Sequence, residues 1–340
     1  MKYISGGNLF RLLDALKSDY EVFVPAKKGE HLFYKKYEAP DEDIVIGGVR
    51  TFEPVKAFFS KAREVVAEGF KPDTPHAQDK PFAIVGVKAC DIKGFKVQDH
   101  VFLNHDCEDP FYIKNRRDNL IISADCTRAI KTCFCLAVGI KPYPEDNFDI
   151  NLSRTEGGFI VESGSEKGKA LIEKHKALFE EANSGQQQSK EEQRSRVTKE
   201  VEESIKQENV PDQSKYKGII ERNFDSKIWE EEANACVECG ACNTICPTCH
   251  CFLLYDQKDE KKMERLRIWD SCMIKDFARV AGGHNPRAKL WMRLRNRFEK
   301  KFDYFPKVAD IYACTGCGRC ISACPAKIDI RKVLEKLVNA

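Results

Sequence analysis

Leu9, Leu12, Leu13 and Leu16 recur at helical spacing and predict an amphipathic helix near the start of the chain. Tyr20, Val22 and Val24 alternate and run up to Pro25, which reads as a strand. Short extended pieces are expected at residues 31–34 and 44–46. Val55, Phe58, Phe59, Ala62, Val65 and Val66 predict a helix over residues 55–68. Residues 82–87 are continuously apolar, the mark of a strand buried on both faces, and Leu120-Ile121-Ile122 is a second such run. Segments 149–152 and 159–161 flank Gly157-Gly158 and predict a hairpin. A charged helix over 169–182 then closes the N-terminal part.

The pattern changes after residue 182. Residues 183–189 are polar, and the charged stretch 190–207 reads either as a solvated helix with i,i+4 ion pairs or as a mobile segment. Residues 183–215 are therefore expected to be a surface linker. Beyond it, Trp229 and Ala233 lie on an expected helix, and Leu290, Leu294, Phe298 and Phe302 form an apolar stripe at spacing four.

Composition narrows the class. The 340 residues are enough for two domains, 32% are charged, and the formal net charge is only +3, which predicts no strong field for nucleic acid. No apolar run approaches the roughly 20 residues of a membrane span. The first residues lack the apolar core of a secretory leader. Sixteen cysteines in such a chain point to metal ligation in a reducing cytoplasm. No G-x-G-x-x-G follows a predicted strand, so neither flavin nor nicotinamide binding is expected.

The chemistry lies in two cysteine runs. Cys236, Cys239, Cys242 and Cys246 precede Pro247; Cys314, Cys317, Cys320 and Cys324 precede Pro325. Both have the spacing C-x2-C-x2-C-x3-C-P of two-cluster ferredoxins, in which the fourth cysteine ligates the other cluster. Three thiolates on one curled loop reach three irons of a cubane, and the fourth iron needs a distant thiolate. The expected ligand sets are Cys236, Cys239, Cys242 and Cys324 for one [4Fe–4S] cluster and Cys314, Cys317, Cys320 and Cys246 for a second. Structural zinc normally takes two separated ligand pairs, which this spacing does not resemble. A disulfide framework does not suit a long chain without a leader.

Four more cysteines form an N-terminal group. Cys90 and Cys126 each lie just past a predicted buried strand, and ligand sites gather at the carboxyl ends of strands in α/β sheets. If those strands are parallel neighbours, the two thiols meet, and Cys133 and Cys135 follow closely enough to fold back. Four thiols match the count for a third [4Fe–4S] cluster; the alternative is that they are buried small hydrophobes. Cys107, in a polar stretch, reads as a spare thiol.

Cys249, Cys251 and Cys272 are one thiol short of a cubane. They read as packing, as a partner contact, or as a metal site completed by a ligand such as His250 or Cys107. As a metal site they offer an alternative function, a substrate-binding cluster with an open iron. Arg287, Lys289, Arg293, Arg295, Arg297, Lys300 and Lys301 make the insert before Cys314 basic. That stretch reads as cationic cover for clusters, a docking face, or a solvated helix face. Long helices leave little room for a small β-hairpin ferredoxin. The expected fold is therefore α+β: an N-terminal α/β domain (1–182), the polar linker (183–215) and an all-helical two-cluster ferredoxin-like domain (216–340).

Taken together, these motifs resemble the 4Fe–4S dicluster family that includes the β subunit of archaeal sulfhydrogenase-type NiFe hydrogenases and an iron–sulfur subunit of anaerobic sulfite reductase. The resemblance rests on Cys90-Asp91, Asp99, Asp109 with Tyr112 and Arg116-Arg117, Cys133-Phe134-Cys135, residues 246–252, Trp269-Asp270-Ser271-Cys272 and residues 314–325. It implies a non-catalytic electron-transfer subunit with a helical ferredoxin module. Its implied partners are a flavin diaphorase subunit on one side and a hydrogenase, sulfite reductase or heterodisulfide-reductase-like catalytic subunit on the other.

Overall fold

A computed structural model of the chain describes residues 1–69, 71–72, 80–104, 108–258 and 262–340; Cys107 lies outside them. Its strands are β1 (Lys2–Ser5), β2 (Glu21–Lys28), β3 (His31–Lys36), β4 (Arg63–Glu68), β5 (Lys71–Pro72), β6 (Phe82–Val87), β7 (Leu120–Ala124), β8 (Ile150–Thr155), β9 (Gly158–Ser163), β10 (Glu180–Glu181), β11 (Phe252–Lys258) and β12 (Met263–Trp269). The larger sheet has the order β10-β1-β9-β8-β7-β6-β2-β3. Its centre, β2-β6-β7-β8, is parallel, and the two apolar runs are adjacent there, with Ala83 opposite Leu120. The hairpin expected around Gly157 is β8–β9.

β2 continues through Pro25 to Lys28 rather than stopping at the proline. Its pairing with β6 ends at Phe23, so the missing N–H of Pro25 costs that ladder nothing. The Pro25 ring packs instead where β6 bulges at Gly86, whose φ of 76° favours glycine. The bulge lies four residues before Cys90 and sets the direction in which the chain leaves β6.

The helix Gly6–Leu16 buries Leu9, Leu12, Leu13 and Leu16 as their spacing requires. Three other expectations are corrected. Residues 55–68 are not one helix: only Lys56–Phe59 is helical, and Arg63–Glu68 is β4. The partner of β4 is β12, about 200 residues further along the chain, with Val65 opposite Leu266. A long-range pairing that satisfies β-branched Val65 and Val66 overrides local helical periodicity. Correspondingly, the insert after Cys246 is not helical throughout, because β11 and β12 form a hairpin in the second sheet, β11-β12-β4-β5. The segment 169–182 divides into the helix Glu166–Lys174, a single tight turn and β10, which pairs with β1.

The expected linker contains the helix Ser184–Gln207, opened by a capping box between Asn183 and Gln186. It is packed rather than solvated, with Lys190, Val197 and Val201 buried. Lys190 reaches Glu162 at 2.8 Å, and Arg194 reaches Asp125 at 2.8 Å and Glu162 at 3.2 Å. Burial pushes the Glu162 carboxyl up, but Lys190 and Arg194 outweigh it and hold the group below its ordinary value. A depressed carboxylate contributes stability at neutral pH that is lost as pH falls through its folded value. Protection of the Val197 and Val201 amides against hydrogen exchange should therefore drop below about pH 4.3, the ordinary glutamate value. Protection that stays flat to about pH 3, more than a unit below that value, would show that these charges do not hold the helix.

The C-terminal region is helical around its cysteine loops. Leu294, Phe298 and Phe302 pack with Trp229 and with Ile330, Val333, Leu334 and Leu337 of the last helix, Ile330–Asn339. Ala89, Phe134 and Cys135 join the same core, so the N-terminal cysteine segments and the helical region share apolar packing.

Candidate metal centres

The cysteines arrive at their positions by two local devices. After β6 and β7 the chain turns over the carboxyl edge of the parallel sheet, carrying Cys90 at the start of the helix Ala89–Phe102 and Cys126 just beyond β7. In each ferredoxin-type run, a left-handed glycine opens a short helix: Gly240 (φ 70°) before Ala241–Thr244 and Gly318 (φ 67°) before Arg319–Ala323.

Cys236, Cys239, Cys242 and Cys324 line one cavity, together with Cys320 from the second run and walls of Met273, Leu294 and Phe298. Ile328 N donates to Cys324 Sγ at 3.4 Å, the kind of backbone contact that tunes a cluster sulfur. Cys314, Cys320 and Cys246 are electrostatic neighbours, as are Cys317 and Cys320. Cys324 thus lies with the first loop and Cys246 with the second.

The N-terminal thiols also converge. Cys90 faces Cys126, Cys126 faces Cys133, and Cys135 faces both Cys133 and Cys126. Burial pushes their protonation upward, that of Cys126 to about 12. Metal ligation therefore has to displace protons held by a dry environment. This site abuts the second ferredoxin loop. Cys317 faces both Cys90 and Cys133, and Phe134 N donates to Gly316 O at 2.8 Å. A Cβ at Gly318 would come within 2.1 Å of Thr132 O, so the two loops touch backbone to backbone.

Buried cations surround the thiols. Arg319 is bidentate to Asp91 at 3.0 and 2.7 Å, tying the residue after Cys90 to the helix that carries Cys320. Lys88 donates to the Ile46 and Asp125 carbonyls at 3.0 Å each and faces Cys126 and Cys90. Lys301 Nζ lies 3.3 Å from Cys246 Sγ, and Arg297 is buried beside Cys242 and Cys320. Burial works against the Lys301 ammonium, yet the facing thiols keep it above its ordinary value. Of the three readings of the basic stretch, cationic cover describes Arg297 and Lys301, whereas Arg287 and Lys289 lie nearer the surface. The sequence placed Arg293, Arg297 and Lys301 in the basic stretch without separating them from Arg287, Lys289, Arg295 and Lys300. Their signal was a second spacing-four stripe beside Leu294, Phe298 and Phe302, and all three are buried.

The surroundings fit iron–sulfur clusters. Arg297 Nη2 and Thr315 Oγ1 are buried without a hydrogen-bond partner among protein atoms, as donors to inorganic sulfide would be. Among the described residues no three ligating side chains meet at a point suited to one metal ion. A cubane instead asks for thiolates spaced around a body.

Comparison with known proteins agrees with this chemistry. Residues 235–328 match a family profile described as a 4Fe-4S dicluster domain. Sulfhydrogenase 2 subunit beta of Pyrococcus furiosus is 31% identical over 324 residues, covering 95% of this chain and 93% of that protein. No helix among the described residues is long and apolar enough to cross a membrane.

Proposed function

Because this chain belongs to the sulfhydrogenase β-subunit family of 4Fe–4S dicluster proteins, we propose that it relays single electrons between two partners, an NAD(P)H-linked flavin subunit on one side and a redox catalytic subunit on the other. In this reading Cys236, Cys239, Cys242 and Cys324 hold one cluster, Cys314, Cys317, Cys320 and Cys246 a second, and Cys90, Cys126, Cys133 and Cys135 a third. Bound there, the clusters supply one-electron oxidation and reduction at iron.

The chain's own residues make a conduit of these sites. The observation that carries the reading is their contiguity: Cys242 faces Cys320, and Cys317 faces Cys90 and Cys133. Each thiol set therefore has a member beside the next. Arg297, Lys301 and Arg319 place fixed positive charge between them, which favours the reduced, more anionic state. Among the described cysteines Cys239 is exposed, so the first set lies at the surface where a partner can approach. Four thiolates per cluster leave no iron open in these three sets, so they conduct rather than turn over substrate.

The test is a redox titration of the anaerobically purified chain. NADH alone should leave it oxidised, and NADH with a flavin-bearing diaphorase subunit should reduce it. NADH-dependent dye reduction by the chain without flavin or partner would overturn the relay.

A further inference from the structure

Among the described residues three cysteines, Cys249, Cys251 and Cys272, are unused by that relay, and the β11–β12 hairpin gathers them. Asp270 N donates to Cys251 O at 2.9 Å, so Cys251 stands at the foot of β11 beside the Asp270-Ser271-Cys272 turn that follows β12. Cys251 and Cys272 face one another. Cys249 lies two residues earlier, its carbonyl held by Lys56 Nζ at 2.8 Å and Gln98 Nε2 at 3.2 Å. Asn243 spans the gap: its Nδ2 lies 3.0 Å from Cys272 Sγ, and Cys249 Sγ donates to its Oδ1 at 3.7 Å. The three thiols therefore lie around the side chain of a buried asparagine, whose Oδ1 also accepts from Cys242 Sγ at 3.8 Å.

That spot is electropositive. Lys56 is 6% exposed, hydrogen-bonds to the carbonyls of Cys249 and Asn243, and faces Cys249, Cys246 and Cys251. Its ammonium also lies 4.3 Å from the centre of the Trp269 ring. Lys301 Nζ is 3.9 Å from Cys249 Sγ, and Arg297, with its unpartnered Nη2, faces Cys249 as well. Neutral thiols do not compensate a buried ammonium, whereas a centre bearing three thiolates does.

We propose that Cys249, Cys251 and Cys272 hold an additional iron–sulfur cluster through three thiolates, leaving one iron free to bind a soft sulfur anion of the hydrosulfide or small-thiolate class. Two further thiols border the spot, Cys246 beside Cys249 and Cys242 facing Cys272, and the relay assigns both to its own clusters. His250 Nδ1 is engaged with Thr248 O at 3.0 Å and its ring packs against Phe305, while Asp270 Oδ1 accepts from Ser271 N at 2.6 Å. This centre adjoins Cys246 and thus the second cluster of the relay, which gives the open iron a supply of electrons. The inference goes beyond the relay, and the two stand or fall separately.

The experiment compares the full chain with Cys251→Ser and Cys272→Ser, all purified anaerobically and checked for unchanged circular dichroism. Each variant should lose about four irons per chain and the matching sulfide. Sodium hydrosulfide should shift one electron paramagnetic resonance signal of the parent, and that signal should be missing in both variants. Should one variant fail to fold, Cys249→Ser takes its place. Unchanged iron in the folded variants, alongside iron loss in Cys90→Ala, overturns this cluster and leaves the relay intact. Iron loss without any hydrosulfide-sensitive signal in the parent overturns the open iron.

Discussion

Replacing Asp91 with asparagine should cost about 3–5 kcal/mol of stability, the range for removing one partner of a buried ion pair. The carboxylate accepts two hydrogen bonds from Arg319, at 3.0 and 2.7 Å, and a third from Val55 N at 3.2 Å. Arg319 has 0% of its surface exposed, so asparagine preserves the shape while leaving a full charge with neutral partners, the amide oxygen at 91 and the Thr51, Phe52 and Glu53 carbonyls. The penalty is dominated by the stranded guanidinium, not by the lost attraction. Asp91→Leu combined with Arg319→Met should therefore recover most of the loss, since an apolar pair needs no compensation. The shift of the urea midpoint at constant slope measures each variant. A loss of about 1 kcal/mol or less for Asp91→Asn, the size of a surface pair, would show that the buried charge is compensated elsewhere. The pair also has a functional consequence. It joins the residue after Cys90 to the helix carrying Cys320, so loosening it separates the N-terminal thiols from the ferredoxin loops.

Cys90→Ala should remove about four irons per chain and an equal amount of acid-labile sulfide, while the two ferredoxin-type centres remain. Cys90 is buried, and its thiol faces Cys126 and Cys317. Alanine fills most of the same space, so the fold should persist with a smaller change than the ion-pair variant. The reductive titration should take up about one electron fewer, because each cluster accepts one. Iron and sulfide contents equal to those of the parent would mean that Cys126, Cys133 and Cys135 are packing residues, the reading in which buried thiols act as small hydrophobes.

How far the sequence could be read depended on the range of the interactions involved. Leu9, Leu12, Leu13 and Leu16 named their helix because one apolar face at helical spacing is a local property. The runs 82–87 and 120–122 named buried strands, and their adjacency brought Cys90 and Cys126 to the same sheet edge. Residues 63–68 could not be read in this way. Their partner β12 lies in the C-terminal insert, and nothing near Val65 announces it. The helix Ser184–Gln207 looked like a solvated connector because only Val197 and Val201 are apolar among its buried positions. Its anchoring comes largely from Lys190 and Arg194, whose charged partners Glu162 and Asp125 lie on and beside the sheet.

The spacing of Cys236, Cys239, Cys242 and Cys246, repeated at Cys314, Cys317, Cys320 and Cys324, carried the iron–sulfur chemistry unaided, because ligand geometry on one short loop is local. Folding supplied the surroundings that no local pattern encodes. It placed Cys317 against Cys90 and Cys133, closed Arg319 onto Asp91, turned Arg297 and Lys301 inward, and used the β11–β12 hairpin to bring Cys251 beside Cys272. Each of these joins residues distant along the chain, and burial is what gives such contacts their electrostatic strength.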